Sequence, residues 1–333
     1  MERILVLQLK RIGDLILTLP ALSALREAKP DAHITIITAD ASGTLAPILP
    51  QADEVLNYHR KKNNLALWWT VLTNRYDITL DFTGTDRSIL FARLSQAPLR
   101  VTFEKLASKK PWRQKVFHRL CDAKVRDHHT VDYHLALLET IGIKNPVADF
   151  QLHVPEEQTA NARAILDREG VKENFVLLHP GTAREEKYWP ANRWAAVADE
   201  LHQSGQQVVI TGADDLRERA EINAIQSRSK APIIDLAGKL SLVELAAVIE
   251  RAQLAIGVDT AAMHFAAAAR TPQIVLFGPT NPFHWGPRHE NAIVLLAGHE
   301  KPFNDWQPRH PEAAMEDLST DAVTQAIYDT LIQ

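Results

Sequence analysis

The sequence predicts an α/β protein of two Rossmann-like domains, whose parallel sheets face a central cleft. The chain has 333 residues, which is long for one domain and sufficient for two. In both halves, short apolar segments rich in β-branched residues alternate with helical segments, as in parallel sheets with right-handed crossovers. Residues 143–155 contain two prolines and little helical pattern, and they separate the two series as a linker.

The first half shows this alternation from its start. Residues 3–9 (RILVLQL) are almost all apolar, which predicts a strand that is buried on both faces. Residues 15–28 predict the first helix. Further strands are predicted at 33–39, 54–56, 76–82 and 100–103, and further helices at 63–72, 86–95 and 130–142.

The second half repeats the pattern after a predicted helix at 156–170. Its strands are predicted at 175–179, 207–211, 233–236, 254–258, 273–277 and 292–296. A last helix is predicted at 319–333, with Ser319 as its N-cap. The predicted domains are therefore 1–150 and 151–318, with 319–333 as a separate helix that packs back on the N-terminal domain.

Composition excludes several classes of protein. A net charge of −4 provides no general attraction to nucleic acid. A single cysteine, Cys121, excludes an internal disulfide and a cysteine-based zinc site, and it suits a cytoplasmic protein. The apolar start is too short for a signal peptide, and no apolar run approaches the roughly 20 residues that span a bilayer. Any membrane contact is therefore expected to be peripheral.

A basic segment interrupts the first half. Nine lysines and arginines lie between Arg100 and Arg126, against only two acidic residues. Such a run is usually a solvated surface helix. It also suits an anionic partner, such as a phosphorylated substrate or an acidic membrane face. The sequence leaves both interpretations open.

The turn Arg11-Ile12-Gly13-Asp14 follows the first strand, at the edge of the sheet where α/β proteins bind ligands. Gly13 suits a positive φ or the close approach of a ligand. Asp14 suits the start of a helix, and its position alone favours a capping role. The alternative is a carboxylate that acts as a general base.

Three turns of the second half also follow strands, so we expect all three to converge on the cleft. The turn at 179–190 contains Thr182, a hydroxyl donor, and Lys187, whose compact charge suits phosphate oxygens. Lysine is common in loops, so this turn by itself favours a plain surface role for Lys187.

The turn at 257–264 precedes a helix of small residues, whose first N–H groups form a ready anion site. Asp259 and Thr260 end the turn, and the small Ala261 lets a ligand approach closely. A capping role for Asp259 stays open. His264 is either a satisfied core residue or a donor to a phosphate.

The turn at 277–282 contains Gly278, either as ordinary turn punctuation or as a ligand contact. Its position after a buried strand favours the ligand. Neither a Walker A motif nor GxGxxG after the first strand is present, which disfavours a P-loop ATPase and an NAD-dependent oxidoreductase. HExxH and GxSxG are absent as well.

Taken together, four stretches resemble glycosyltransferase family 9, the bacterial lipopolysaccharide heptosyltransferases. They are RIGDLILTLPAL at 11–22, HPGT…KYWP at 179–190, GVDTAAMHFAAA at 257–268 and FGPTNP at 277–282. The resemblance implies the two-domain GT-B architecture. It also implies inverting transfer of heptose from an ADP-heptose donor to the lipopolysaccharide inner core, with no required metal and no cofactor besides the donor.

The resemblance implies a role for each of these residues. Asp14 corresponds to the catalytic base, with Lys10, Arg11 and Gly13 at the acceptor. The implied donor contacts are Thr182, Lys187, Glu218, Asp259, Thr260, Ala261, His264 and Gly278. Glu218 takes the place of an acid that binds the donor ribose, although a surface helix acid would fit the sequence too.

The implied partners are a nucleotide-sugar donor and an anionic, lipid-linked saccharide acceptor, which the basic segment suits. The protein is expected in the cytoplasm, in peripheral contact with the inner face of the inner membrane. Two alternatives stay open: a GT-B transferase with another nucleotide sugar, and a non-catalytic sugar-nucleotide binding protein. The sequence leaves the exact acceptor, the linkage and the oligomeric state open.

Overall fold

The computed structural model describes residues 1–147 and 150–331, which form two units, each with a six-stranded parallel sheet and covering helices. The division between the units lies between Phe150 and Gln151. Residues 148 and 149 of the predicted linker lie outside the described residues. No helix of the described residues is long and apolar enough to cross a membrane.

The first unit has the strand order β3-β2-β1-β4-β5-β6. Its elements are β1 (Arg3–Leu7), α1 (Ile12–Ile16), α2 (Leu19–Ala28), β2 (His33–Ala39), β3 (Glu54–Tyr58), α3 (Leu65–Thr73), β4 (Ile78–Asp81), α4 (Asp86–Leu94), β5 (Leu99–Phe103), α5 (Glu104–Ala107), α6 (Pro111–Gln114), β6 (Arg119–Cys121) and α7 (Thr130–Glu139). In the central strand β1, residues 4–7 are completely buried, as the apolar run predicts.

The predicted helix at 15–28 is wrong as a single element, because the chain forms α1 and α2 with a break at Leu17 and Thr18. Pro20 has no N–H group, so the helical ladder cannot continue through it. The backbone N–H of Thr18 bonds instead to Leu15 O at 2.9 Å, which tightens the turn. Gly13 lies inside α1 rather than in a turn of positive φ.

The second unit has the strand order β12-β11-β10-β7-β8-β9. Its elements are α8 (Glu156–Arg168), β7 (Phe175–His179), α9 (Ala191–Gln203), β8 (Gln207–Ile210), α10 (Leu216–Gln226), β9 (Ile233–Asp235), α11 (Leu242–Arg251), β10 (Leu254–Val258), α12 (Ala261–Ala269), β11 (Gln273–Phe277), α13 (Pro282–Trp285), β12 (Ala292–Leu296) and α14 (Thr320–Leu331). All six strands predicted for this half are present.

The last helix, α14, packs against α9, β11 and β12. Its buried side chains, among them Val323 and Ile327, belong to the same core cluster as Trp189 and Trp194. The helix is therefore part of the second unit, and the prediction that sets it apart from this unit is wrong. The Ser319 hydroxyl accepts from Ala322 N at 3.2 Å, in keeping with the predicted cap. Residues 332 and 333 of the predicted helix lie outside the described residues.

Candidate functional site

Asp14 lies in the first turn of α1, directly beyond β1 at the carboxyl edge of the first sheet. Arg11, not Asp14, occupies the N-cap position. The Asp14 side chain is 30% exposed, and its Oδ1 lies 3.6 Å from Lys10 Nζ. No backbone N–H of the described residues donates to this carboxylate, so it is presented to solvent rather than used as a cap.

The other predicted acceptor residues surround Asp14 in the chain. Lys10 is about one-third exposed, and Arg11 is exposed beside it. The loop after β3 reaches the same edge, since Arg60 Nη2 donates to Leu9 O at 2.9 Å. The sequence does not indicate this approach, because β2 separates β3 from β1 in the sheet.

A buried polar network supports the break between α1 and α2. The Thr18 hydroxyl donates to Asp14 O at 2.7 Å and accepts from Gln8 Nε2 at 2.8 Å. His134 Nδ1 of α7 lies 3.2 Å from Leu17 O, which accepts only, so this nitrogen carries the proton. The network therefore satisfies two of the carbonyls at the break and fixes the backbone that carries Asp14.

Asp81, at the end of β4, is a further buried polar residue near the carboxyl edge of the first sheet. Its carboxylate accepts from Thr83 N at 2.8 Å, Gly84 N at 3.0 Å and Ser88 Oγ at 2.9 Å. Burial raises the pKa of Asp81 to about 6, against these hydrogen bonds and the charge of Lys10. Asp81 thus fixes the turn after β4.

Burial shifts the pKa of His134 in the opposite direction to that of Asp81. It lowers the pKa of His134 to about 3, and the nearby charge of Lys10 acts in the same direction. The imidazole is therefore neutral at pH 7. Neither Gln8 nor His134 was a predicted site residue. The role of His134 is not visible in the sequence, because only the tertiary structure brings α7 to the start of α2.

We expect acid to destabilise the first unit through His134. Between pH 6.5 and pH 3 the unfolded chain binds a proton here that the folded chain does not, so stability falls as the pH falls. Acidification from pH 7 to pH 5 should lower the unfolding free energy by about 2 kcal/mol through this group. Urea denaturation at both pH values should show a loss smaller by this amount in His134→Asn.

The matched control is His202→Asn, which changes an exposed histidine. It should leave the pH dependence of the wild-type protein unchanged. An equal acid-induced loss in His134→Asn and in the wild-type protein would contradict the assignment.

In the second unit, Lys187 and Asp259 form a buried ion pair that joins two of the three predicted turns. Lys187 Nζ lies 2.5 Å from Asp259 Oδ2 and 3.0 Å from Asp259 O, and both side chains are at least 88% buried. Thr280, of the third turn, donates its hydroxyl to Asp259 Oδ2 at 2.9 Å. The three turns therefore meet at the carboxyl edge of this sheet, and the sequence prediction omitted Thr280.

Thr260 is the N-cap residue of α12, but its side chain makes no capping hydrogen bond. Its hydroxyl is buried and has no partner among the described residues. The first N–H groups of α12, which begin with Ala261, consequently have no side-chain cap. His264 Nε2 on this helix lies 4.0 Å from Asp259 Oδ1. A helix start with a polar group and a cation beside it is suited to bind an anion.

Glu218, on α10, lies against the glycine of the first turn. Its Oε2 accepts from Ala213 N at 2.7 Å, and a Cβ on Gly181 would lie 2.1 Å from this oxygen. Burial raises the pKa of Glu218. Glu218 and Thr182 line the same surface pocket of about 600 Å³. The Thr182 hydroxyl accepts from Arg184 N at 3.2 Å.

Gly278 has a packing role that the sequence does not indicate. A Cβ at this position would lie 2.6 Å from Met315 Sδ and 3.1 Å from Ala313 O. The close approach of this segment is a sufficient reason for a glycine here, and the ligand contact at Gly278 stays a prediction.

The basic segment does not form one helix. It begins in β5 and continues through α5, α6 and β6, and its charges have different environments. Arg113 is buried and bonds to Asp86 Oδ1 at 2.5 Å, so it is structural. Arg100 donates to the carbonyls of Val116 and Ala97. Lys105, Lys109 and Lys115 are exposed and remain available to an anionic partner.

Comparison with known proteins identifies the family of this chain. The model of "Glycosyltransferase family 9 (heptosyltransferase)" matches residues 64–313. The chain belongs to glycosyltransferase family 9. It is 31% identical over 312 residues to Lipopolysaccharide heptosyltransferase 3 of Escherichia coli, with 90% of each chain covered. The family-model match includes all three turns of the second unit and begins after Asp14.

Two solved structures confirm the predicted α/β fold class with its GT-B sheets. The glycosyl transferase family 9 structure from Veillonella parvula has a TM-score of 0.88 at 24% identity and covers 99% of this chain and 97% of its own. The E. coli ADP-heptose LPS heptosyltransferase II has a TM-score of 0.81 at 19% identity, with 100% and 99% covered. Family membership makes this chain a glycosyltransferase of the heptosyltransferase family.

Proposed function

We propose that this family 9 protein transfers heptose from ADP-heptose to the inner core of lipopolysaccharide, with inversion at the anomeric carbon. The observation that carries the proposal is the buried Lys187–Asp259 pair beside the uncapped start of α12. The names of these relatives, which include lipopolysaccharide and ADP-heptose, support the acceptor and the donor.

In this proposal, the start of α12 and Lys187 bind the diphosphate of the donor. As the bond to the sugar breaks, negative charge grows on the departing ADP, and a lysine and fixed N–H dipoles stabilise it. Asp259, which accepts from Thr280, holds the ammonium group at the helix start. Because Lys187 and the N–H groups of α12 are proposed to contact the diphosphate directly, we propose that no metal is required, and transfer should continue at the same rate in excess EDTA.

The proposed base is Asp14, on the first unit. The Asp14 carboxylate takes the proton of an acceptor hydroxyl, whose oxygen attacks the anomeric carbon while ADP leaves with the electrons of the broken bond. One displacement of this kind inverts the anomeric centre and needs one base rather than a protein nucleophile. Lys10 and Arg11 lie beside Asp14 and are suited to an anionic acceptor.

Glu218 is proposed to bind the donor ribose. Ala213 N holds Oε2, while Oε1 accepts no hydrogen bond from the described residues and is free to accept from a ribose hydroxyl. Its position beside Thr182 in the same pocket supports this role.

Gly181→Ala tests the proposed nucleotide site. The new Cβ would displace the Glu218 carboxylate, the end of a flexible side chain, so we expect little loss of stability and roughly tenfold weaker ADP binding in calorimetry. In a Glu218→Ala background the clash is gone, so Gly181→Ala should then cause no further loss. Unchanged ADP affinity in the single variant would remove Glu218 from the site.

A panel of donors tests the function as a whole. The purified protein is incubated with an inner-core acceptor and ADP-heptose, or with UDP- and GDP-sugars, and the anomeric configuration of the product is read by NMR. Transfer from ADP-heptose with inversion is the expected result. Preference for another nucleotide sugar, or ADP binding without transfer, would support one of the two alternatives instead.

A further inference from the structure

The outer face of α3 is apolar where a surface helix is normally polar. Leu65, Trp69 and Leu72 are 71%, 67% and 37% exposed. They are spaced i, i+4 and i+7, so they lie along one side of the helix. The sequence of α3, LALWWTVLT, contains no charged residue. We refer to these three exposed side chains as the α3 face.

The opposite side of α3 already anchors the helix to the first unit. Val71 is completely buried, and Leu67 and Trp68 pack against the core cluster. The Trp68 ring stacks on Phe91 of α4, with ring centroids 3.8 Å apart. Folding of the unit therefore does not require the α3 face, whose exposure leaves apolar surface in water at a free-energy cost.

Positively charged residues lie on the loop before α3 and on the neighbouring helix α4. Lys61 and Lys62, in the loop before α3, are exposed and form no ion pair with the described residues. On α4, which packs against α3, the exposed Leu90 has Arg87 three residues before it and Arg93 three residues after it. Apolar side chains bordered by cations are the chemistry that binds the surface of an anionic bilayer.

The position of the α3 face relative to Asp14 fits contact with an anionic bilayer. Arg60, in the same loop as Lys61 and Lys62, bonds to Leu9 O, two residues beyond β1, so the loop that leads into α3 lies at the edge that carries Asp14. A tryptophan beside lysines is typical of side chains that enter the headgroup region.

We infer that the α3 face, with Lys61 and Lys62, docks the protein on an anionic phospholipid bilayer. The leucines and the indole enter the boundary between headgroups and acyl chains, and the lysines contact lipid phosphates. This inference goes beyond the proposed transfer reaction and does not depend on it, because it concerns the binding of the protein to lipid alone.

The test uses the full-length protein and vesicles of phosphatidylcholine with or without phosphatidylglycerol, in the absence of nucleotide and sugar. The wild-type protein should co-sediment with the anionic vesicles, and added salt should weaken this binding. The double variant Leu65→Ser/Trp69→Ser should bind roughly tenfold more weakly. Lys61→Glu/Lys62→Glu should lose the preference for anionic vesicles.

Matched controls make the same changes elsewhere. Trp306→Ser changes another exposed tryptophan, and Lys172→Glu/Lys230→Glu changes two exposed lysines of the second unit. Both controls should bind vesicles like the wild-type protein. All variants should retain the wild-type circular dichroism, and the variants at Leu65/Trp69 and at the lysines should also retain the wild-type Tm, because those side chains are largely exposed.

Two results would overturn the inference. The first is vesicle binding that neither double variant weakens. The second is a wild-type dimer in light scattering that Leu65→Ser/Trp69→Ser converts to a monomer, since a second copy would then cover the face. Because no donor or acceptor is present, either result leaves the proposed transfer reaction standing, and failure of that reaction leaves the lipid result standing.

Discussion

Asp14→Asn is expected to lower the turnover of heptose transfer by about 10²- to 10⁴-fold, the usual contribution of a general base. The amide cannot take the proton from the acceptor hydroxyl. The Asp14 carboxylate forms only a 3.6 Å pair with the partly exposed Lys10, so the fold should lose no more than about 1 kcal/mol. ADP affinity should remain unchanged, because the proposed donor groups belong to the second unit.

The measurement is the single-turnover rate with saturating ADP-heptose, together with calorimetry of ADP binding. Asp31→Asn is the matched control, because Asp31 is an exposed aspartate of the same unit and lies in the turn between α2 and β2. It should transfer heptose like the wild-type protein. If Asp14→Asn retains activity within about tenfold, the base is another group.

Lys187→Met is expected to weaken ADP binding by roughly 10- to 100-fold, because a charged hydrogen bond to the diphosphate is worth about 1.5–3 kcal/mol. It should also destabilise the second unit by about 3–5 kcal/mol, since it leaves the buried Asp259 carboxylate without its cation. Calorimetry and urea denaturation report these two effects separately.

The double variant Lys187→Met/Asp259→Asn separates binding from folding. It removes both buried charges, so it should recover much of the lost stability while ADP binding remains weak. Lys239→Ala is the control, because Lys239 forms a more exposed pair with Glu169 in the same unit. Wild-type ADP affinity in the double variant would exclude Lys187 from the donor site.

The break between α1 and α2 shows where local pattern stops being informative. Residues 15–28 have a continuous helical pattern, and Pro20 alone is compatible with the first turn of a helix or with a kink. Two side chains from outside these helices hydrogen-bond to the residues at the break. Gln8 hydrogen-bonds to Thr18, and His134 to Leu17 O, 117 residues away in the chain. No periodicity in the sequence indicates such a partner.

Two glycines also show how the neighbours of a residue depend on tertiary structure. Gly181 and Gly278 both follow a buried strand, and Gly278 was a predicted contact with a ligand. The structure places Glu218 against Gly181, in a pocket, and Met315 against Gly278, in the core. A glycine in the sequence indicates that something approaches the backbone, but the identity of the neighbour depends on how distant segments pack.

Local residue pattern was sufficient to predict the alternation of strands and helices in two series, and the turns at the carboxyl ends of β1, β7, β10 and β11. It could do so because burial of a strand and the start of a helix leave a local pattern in residue type. Tertiary structure is needed to show that Lys187 pairs with Asp259, that Thr280 donates to the same carboxylate, that Glu218 lies against Gly181, and that α3 exposes an apolar face. These features depend on strand order and helix packing, which bring together residues that are far apart in the chain.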